Sequence, residues 1–80
     1  MPNNINNWQY KDVVSFLKEN GFTLNHIRGS HYYYVGTVNK IMRHVSVPYH
    51  GTALKPRTMK SIIEQSGIQK EIWFGKGKRK

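Results

Sequence analysis

The four residues Arg28-Gly29-Ser30-His31 set a cation, a hydroxyl and an imidazole around a glycine, and Tyr32, Tyr33 and Tyr34 follow at once. Glycine lets the backbone turn tightly where a side chain would obstruct, and the histidine then heads a segment of high strand propensity. Imidazole is the ordinary side chain that titrates closest to neutrality, so His31 at the mouth of a turn is placed to take or give a proton. Ser30 can donate or accept a hydrogen bond beside it. Taken alone, the tripeptide also fits a structural histidine at a hairpin.

Charge indicates the class of partner. Thirteen Lys and Arg against four Asp and Glu give +9, with a sequence pI near 10.1, and such an excess implies a polyanion. Four of the cations, Lys76, Lys78, Arg79 and Lys80, lie in the C-terminal run, and the rest of the chain keeps +5. That run reads either as a solubilising end or as an arm that grips RNA. Eighty residues suit one small domain, assigned to 1–75, followed by the basic tail 76–80, with no room for a separate cofactor domain. The lack of cysteine removes disulfides and thiolate metal sites. No stretch is apolar enough to span a membrane, and Met1 to Asn7 is polar and uncharged, unlike a signal peptide. The expectation is an intracellular, cytoplasmic protein without cofactor or small-molecule ligand.

The elements that must position the turn follow from periodicity. Tyr10, Val13, Val14 and Leu17 form one stripe of a helix over Trp8 to Asn20, with Asn7 as N-cap and Gly21 as its stop. Phe22 to Ile27 reads as a strand whose imperfect alternation leaves room for a bulge. A second strand follows from His31 to Val35, then a hairpin loop from Gly36 to Lys40. The third strand, Ile41 to Val47, turns Val45 and Val47 to the core and Met42, His44 and Ser46 away from it, until Pro48 ends it. Pro56 opens a second helix with Met59, Ile62 and Ile63 as its buried stripe, closed at Ser66-Gly67. Ile68 to Phe74 adds a short helical turn that lays Ile72, Trp73 and Phe74 over the core edge. The order predicts an α+β fold, with a three-stranded antiparallel sheet, both helices on one of its faces and the other face free.

Leu17 and Asn20-Gly21-Phe22, then Gly29-Ser30-His31, Val47-Pro48-Tyr49-His50, Leu54-Lys55-Pro56-Arg57-Thr58, and Ser61-Ile62-Ile63 to Gly67-Ile68 occur in an order and spacing that resemble the HicA toxins of bacterial toxin–antitoxin pairs. The resemblance implies an α-β-β-β-α fold like that of double-stranded-RNA-binding domains, an mRNA-cleaving ribonuclease activity, His31 as the catalytic residue, and a HicB-like antitoxin that covers the site. It spans the chain apart from the first seven residues and the basic tail. The loop from Gly36 to Lys40 departs from the family in lacking, Lys40 apart, the charged residues often found there.

The side chains suit a metal-independent route. Mg²⁺ demands convergent hard oxygen ligands, and Asp12, Glu19, Glu64 and Glu71 have no such spacing. An RNA 2′-OH can instead attack its own phosphorus while His31 accepts that proton or protonates the leaving 5′-oxygen, and cations stabilise the phosphate oxygens. Arg28, Gly29, Ser30, Lys55 and Arg57 are the expected substrate contacts, helped by backbone N–H groups at the start of the second helix. His50 reads as a second acid or base or as a turn-stabilising donor. His26 reads as strand filler and His44 as an exposed strand residue. A zinc site built from His31, His44 and His50 is disfavoured by their irregular spacing. Tyr32 to Tyr34 divide between core packing and stacking on unpaired bases, since alternation turns at least one inward.

Overall fold

The computed structural model describes residues 4–49 and 51–75. In order these form α1 (Tyr10–Glu19), β1 (Thr23–Arg28), β2 (His31–Val38), β3 (Ile41–Pro48), α2 (Pro56–Ser66) and α3 (Lys70–Trp73). The strands make one antiparallel sheet in the order β1-β2-β3. This is the expected α+β arrangement, with the short α3 as the final helical turn.

The start of α1 differs from the sequence expectation. Asn7 sits at φ 68° and turns the chain so that Trp8 is fully buried, with its indole N–H donating to the Asn4 carbonyl at 2.6 Å. Gln9 is the N-cap, and its backbone N–H donates to the Asp12 carboxylate at 3.0 Å. An anion there also complements the partial positive charge of the helix start. Val13 and Leu17 of the expected stripe are fully buried, and Phe16 joins them. Phe16 stacks on Trp73, with ring centroids 4.0 Å apart, and Trp73 meets Trp8 edge-on at 5.5 Å. Burying each such side chain stabilises the fold by about 1.5–3 kcal/mol, so this aromatic knot is where α3 is held. Buried Ser66 completes the attachment: its hydroxyl donates to the Ile63 carbonyl and accepts from the Ile68 backbone N–H and, at 3.3 Å, from the Trp73 indole. Ile72, expected over the core edge, is instead 38% exposed, because Trp73 takes the inward position of so short a helix.

The expected loop from Gly36 to Lys40 is also corrected. β2 runs on to Val38, paired with Ile41, and the turn is only Asn39-Lys40, at φ 53° and 68°. Positive φ at both central residues marks the tight turn that matches strand twist. Gly36 lies within the strand because the ring of Phe22, itself buried, rests against it. A Cβ built there would stand 2.7 Å from that ring. Glycine here answers a packing demand across the sheet that local propensity does not register.

Cover over the sheet is uneven. Tyr34, Val45 and Val47 are buried beneath the helices. The outer edge of β3 is guarded by Gln65 of α2, whose side-chain oxygen accepts the Ser46 backbone N–H at 2.9 Å. β1 is exposed along its whole length. No helix among the described residues is long and apolar enough to cross a membrane.

Candidate functional site

β1 and β2 are joined by Gly29-Ser30 alone, with Arg28 and His31 as direct register partners. Gly29 has φ 60° and nothing within 4 Å of a built Cβ. The glycine is therefore required by backbone conformation, and the space around it is open. The turn is tied to the end of β3: the Tyr49 backbone N–H donates to the Ser30 carbonyl at 2.7 Å, and His31 pairs with Pro48. His31 is exposed.

Register partners project from the same face of a sheet, and faces alternate along a strand. Tyr34 is buried among the helices, so Tyr32 and Tyr34 belong to the covered face, and His31, Tyr33, Val35 and Thr37 to the free one. Pairing then adds Pro48, Ser46, His44 and Met42 from β3 to the free face, together with Arg28 and His26 from β1. His26 is there because the register shifts between Leu24 and His26. That bulge inserts Asn25 and rotates the rest of the strand, so Leu24 and His26 lie on opposite faces despite being two residues apart. The irregular alternation of the sequence was the signal for this bulge. The reading of His26 as strand filler missed its consequence: the imidazole stacks on Tyr33 with centroids 4.4 Å apart and planes within 5°. The Asn25 side-chain nitrogen lies 3.1 Å from His26 Nδ1.

On the covered side of the same turn sits a tyrosine cluster. Tyr10 meets Tyr32 at 5.2 Å and Tyr49 at 4.9 Å, and its hydroxyl lies 3.3 Å from that of Tyr34. Burial, followed by the Tyr34 hydrogen bond and the neighbouring tyrosines, pushes the Tyr10 phenol well above its usual value. The cluster anchors the strand ends behind His31.

Lys55 and Arg57 are placed elsewhere. Lys55 is the N-cap of α2, Pro56 follows it at the first helical position, and Arg57 comes next. Both cations are exposed. No hydrogen bond among the described residues joins either to the Gly29 turn. Lys55, Thr52, Ala53 and Thr58 line a shallow recess of about 250 Å³ at the helix start, and α2 carries no acidic residue in its first turn. His50 and the basic run Lys76 to Lys80 lie outside the described residues.

All four carboxylates, Asp12, Glu19, Glu64 and Glu71, belong to the helices, so the free face of the sheet carries no anionic side chain. Among the described residues no three His, Asp or Glu side chains converge in a way that would hold a metal ion. The arrangement presents an imidazole and a guanidinium side by side, open to solvent, on a surface with no carboxylate to repel a phosphate.

A small α+β domain with these blocks of sequence defines a class. The model of the family described as HicA toxin of bacterial toxin-antitoxin matches residues 10–68. That span covers more than half of the chain and includes every described residue of the turn and of the α2 start. The chain belongs to the HicA toxin family. No curated protein matches it.

Proposed function

We propose that this protein is the toxin of a toxin–antitoxin pair and acts as a metal-independent endoribonuclease on mRNA, with His31 as its proton-transfer group. The observation that carries the reading is the exposed His31 beside Arg28 on a carboxylate-free sheet face, held by a two-residue turn, in a chain of the HicA family. The RNA 2′-oxygen forms a bond to the adjacent phosphorus as the bond from phosphorus to the 5′-oxygen breaks. The products are a 2′,3′-cyclic phosphate and a free 5′-hydroxyl. His31 takes the proton from the 2′-OH or supplies one to the leaving oxygen, and Arg28 stabilises the charge on the phosphate oxygens. Lys55, Arg57 and the free backbone N–H groups at the start of α2 hold a further phosphate of the strand. Gly29 and Ser30 shape the approach, and His50, which matches a recurrent position of the family, serves as a second acid or base or as a turn-stabilising donor. The protein works in the cytoplasm, where its inhibitor is a HicB-like antitoxin that covers the turn. An acidic partner associates quickly with so basic a surface.

The test is His31→Ala, assayed on labelled RNA with EDTA present. Wild type should cut under these conditions, while the variant should bind RNA and leave it intact. Cutting by the variant at the wild-type rate would overturn the role of His31. Binding without cutting by both proteins would make this a nucleic-acid-binding module.

A further inference from the structure

The free face is organised in rows. Arg28, His31 and Pro48 make one row across the three strands, and His26, Tyr33 and Ser46 make the next. Two residues along a strand span about 7 Å, so the second row lies beside the first at that distance. His26 and Tyr33 are register partners, and their rings are parallel with centroids 4.4 Å apart, close to the strand spacing of about 4.8 Å. Both rings therefore stand up from the sheet with their planes facing along the row. One face of Tyr33 is covered by His26. The other looks toward β3, where its partner Ser46 is too small to cover it, and Tyr33 has no second aromatic neighbour among the described residues.

We propose that the open place above Ser46 is a nucleobase site. An unpaired base inserted there continues the stack of His26 and Tyr33, and its sugar and phosphate then lie over His31 and Arg28 in the adjacent row. The occupant is single-stranded RNA. A ring with a free π-face and a positively charged surround is what an unstacked base requires, and the chain carries +9 with no carboxylate on this face. Bases inside a duplex are already stacked and cannot enter, so the site selects unpaired strands although the fold resembles domains that bind double-stranded RNA. The inference rests on the ribonuclease reading for the identity of the scissile phosphate, but the base site itself is a binding claim.

Full-length protein carrying His31→Ala, which spares the substrate, is titrated with short single-stranded RNAs bearing 2-aminopurine at each position in turn, and with the same RNAs annealed to their complements. The fluorescence of one position should be quenched on binding. Tyr33→Leu should remove that quench and weaken single-strand affinity about tenfold, since stacking on one aromatic residue has that order of effect. Ser46→Leu, which fills the place while leaving the ring and the backbone bond to Gln65, should do the same. Tyr33→Trp should preserve both quench and affinity, and duplex affinity should not move in any variant. Thermal melting checks folding; if Tyr33→Leu unfolds, Ser46→Leu decides alone. Unchanged quench and affinity in Ser46→Leu, or equal losses for duplex and single strand, would overturn the base site. Cleavage by the unsubstituted chain separates the two claims. A Tyr33-dependent quench without cleavage keeps the base site and removes the ribonuclease, and cleavage with Tyr33-independent binding does the reverse.

Discussion

On one face of the sheet Tyr34, Val45 and Val47 lie buried under α1 and α2, and on the other His31, Thr37, Met42 and His44 stay open to solvent. The same strands supply both sets at alternate positions. The covered face is mainly apolar and aromatic, with Arg43, the register partner of Gly36, as the exception, and the hydroxyls of Tyr10 and Tyr34 meet there at 3.3 Å. The free face has imidazoles, a guanidinium and a half-buried tyrosine, with no hydrophobic layer to support. One face can therefore be altered for chemistry while the other keeps the fold, so substitutions one residue apart along β2 should have unlike consequences.

The largest expected effect is on the free face. His31→Ala should lower cleavage about 10²- to 10⁴-fold, as loss of a positioned acid or base does, while its stability to urea stays within about 1 kcal/mol of wild type, as for other surface changes. A variant that unfolds would show that the two faces are not separable at this position. Gly36→Ala, on the covered face, should have the opposite profile. Its new methyl meets the Phe22 ring, and overpacking of this kind costs about 1–3 kcal/mol. The urea midpoint should fall while cleavage per folded molecule is retained; an unchanged midpoint would mean the ring moves aside freely.

Tyr10 gives the covered face a pH signature. Its phenol titrates higher in the folded protein than its ordinary value of 10, so above about pH 10 the unfolded chain gives up a proton that the folded chain retains. Its contribution to stability is complete below that pH and declines as pH rises beyond it. Thermal melts between pH 9 and about 11 should show an alkaline loss that is smaller in Tyr10→Phe. An identical loss in both proteins would place the effect on other tyrosines. The smallest change is expected in the turn between β2 and β3, at the opposite end of β2 from His31. Lys40 holds φ 68° without being glycine, a conformation that costs an ordinary residue about 1–2 kcal/mol. Lys40→Gly relieves this but loses more backbone entropy on folding, leaving a net gain of about 0.5–1 kcal/mol, readable as a higher melting temperature with cleavage unaltered.

Much of this molecule was legible in residue order alone, because the signals were local. A 3.6-residue stripe made α1, a proline at the first turn made α2, and the dipeptide Gly29-Ser30 set the hairpin that brings Arg28 opposite His31. Backbone sterics and hydrophobic period act over a few residues, so they can be read without knowing what lies across the fold. Contacts between distant segments decided the rest. Gly36 looked like a loop residue until Phe22, fourteen positions earlier, was seen to occupy its missing side chain's place. Trp8 stood before the helical stripe, yet it is buried against Trp73 at the other end of the chain. The bulge at Asn25 could be suspected from broken alternation, but only pairing with β2 determined that it delivers His26 to Tyr33. Which face a strand residue occupies depends on register, and register is set by partners far away in sequence. The order of residues thus put a histidine at the head of a strand, while the packed sheet determined which side chains share its surface.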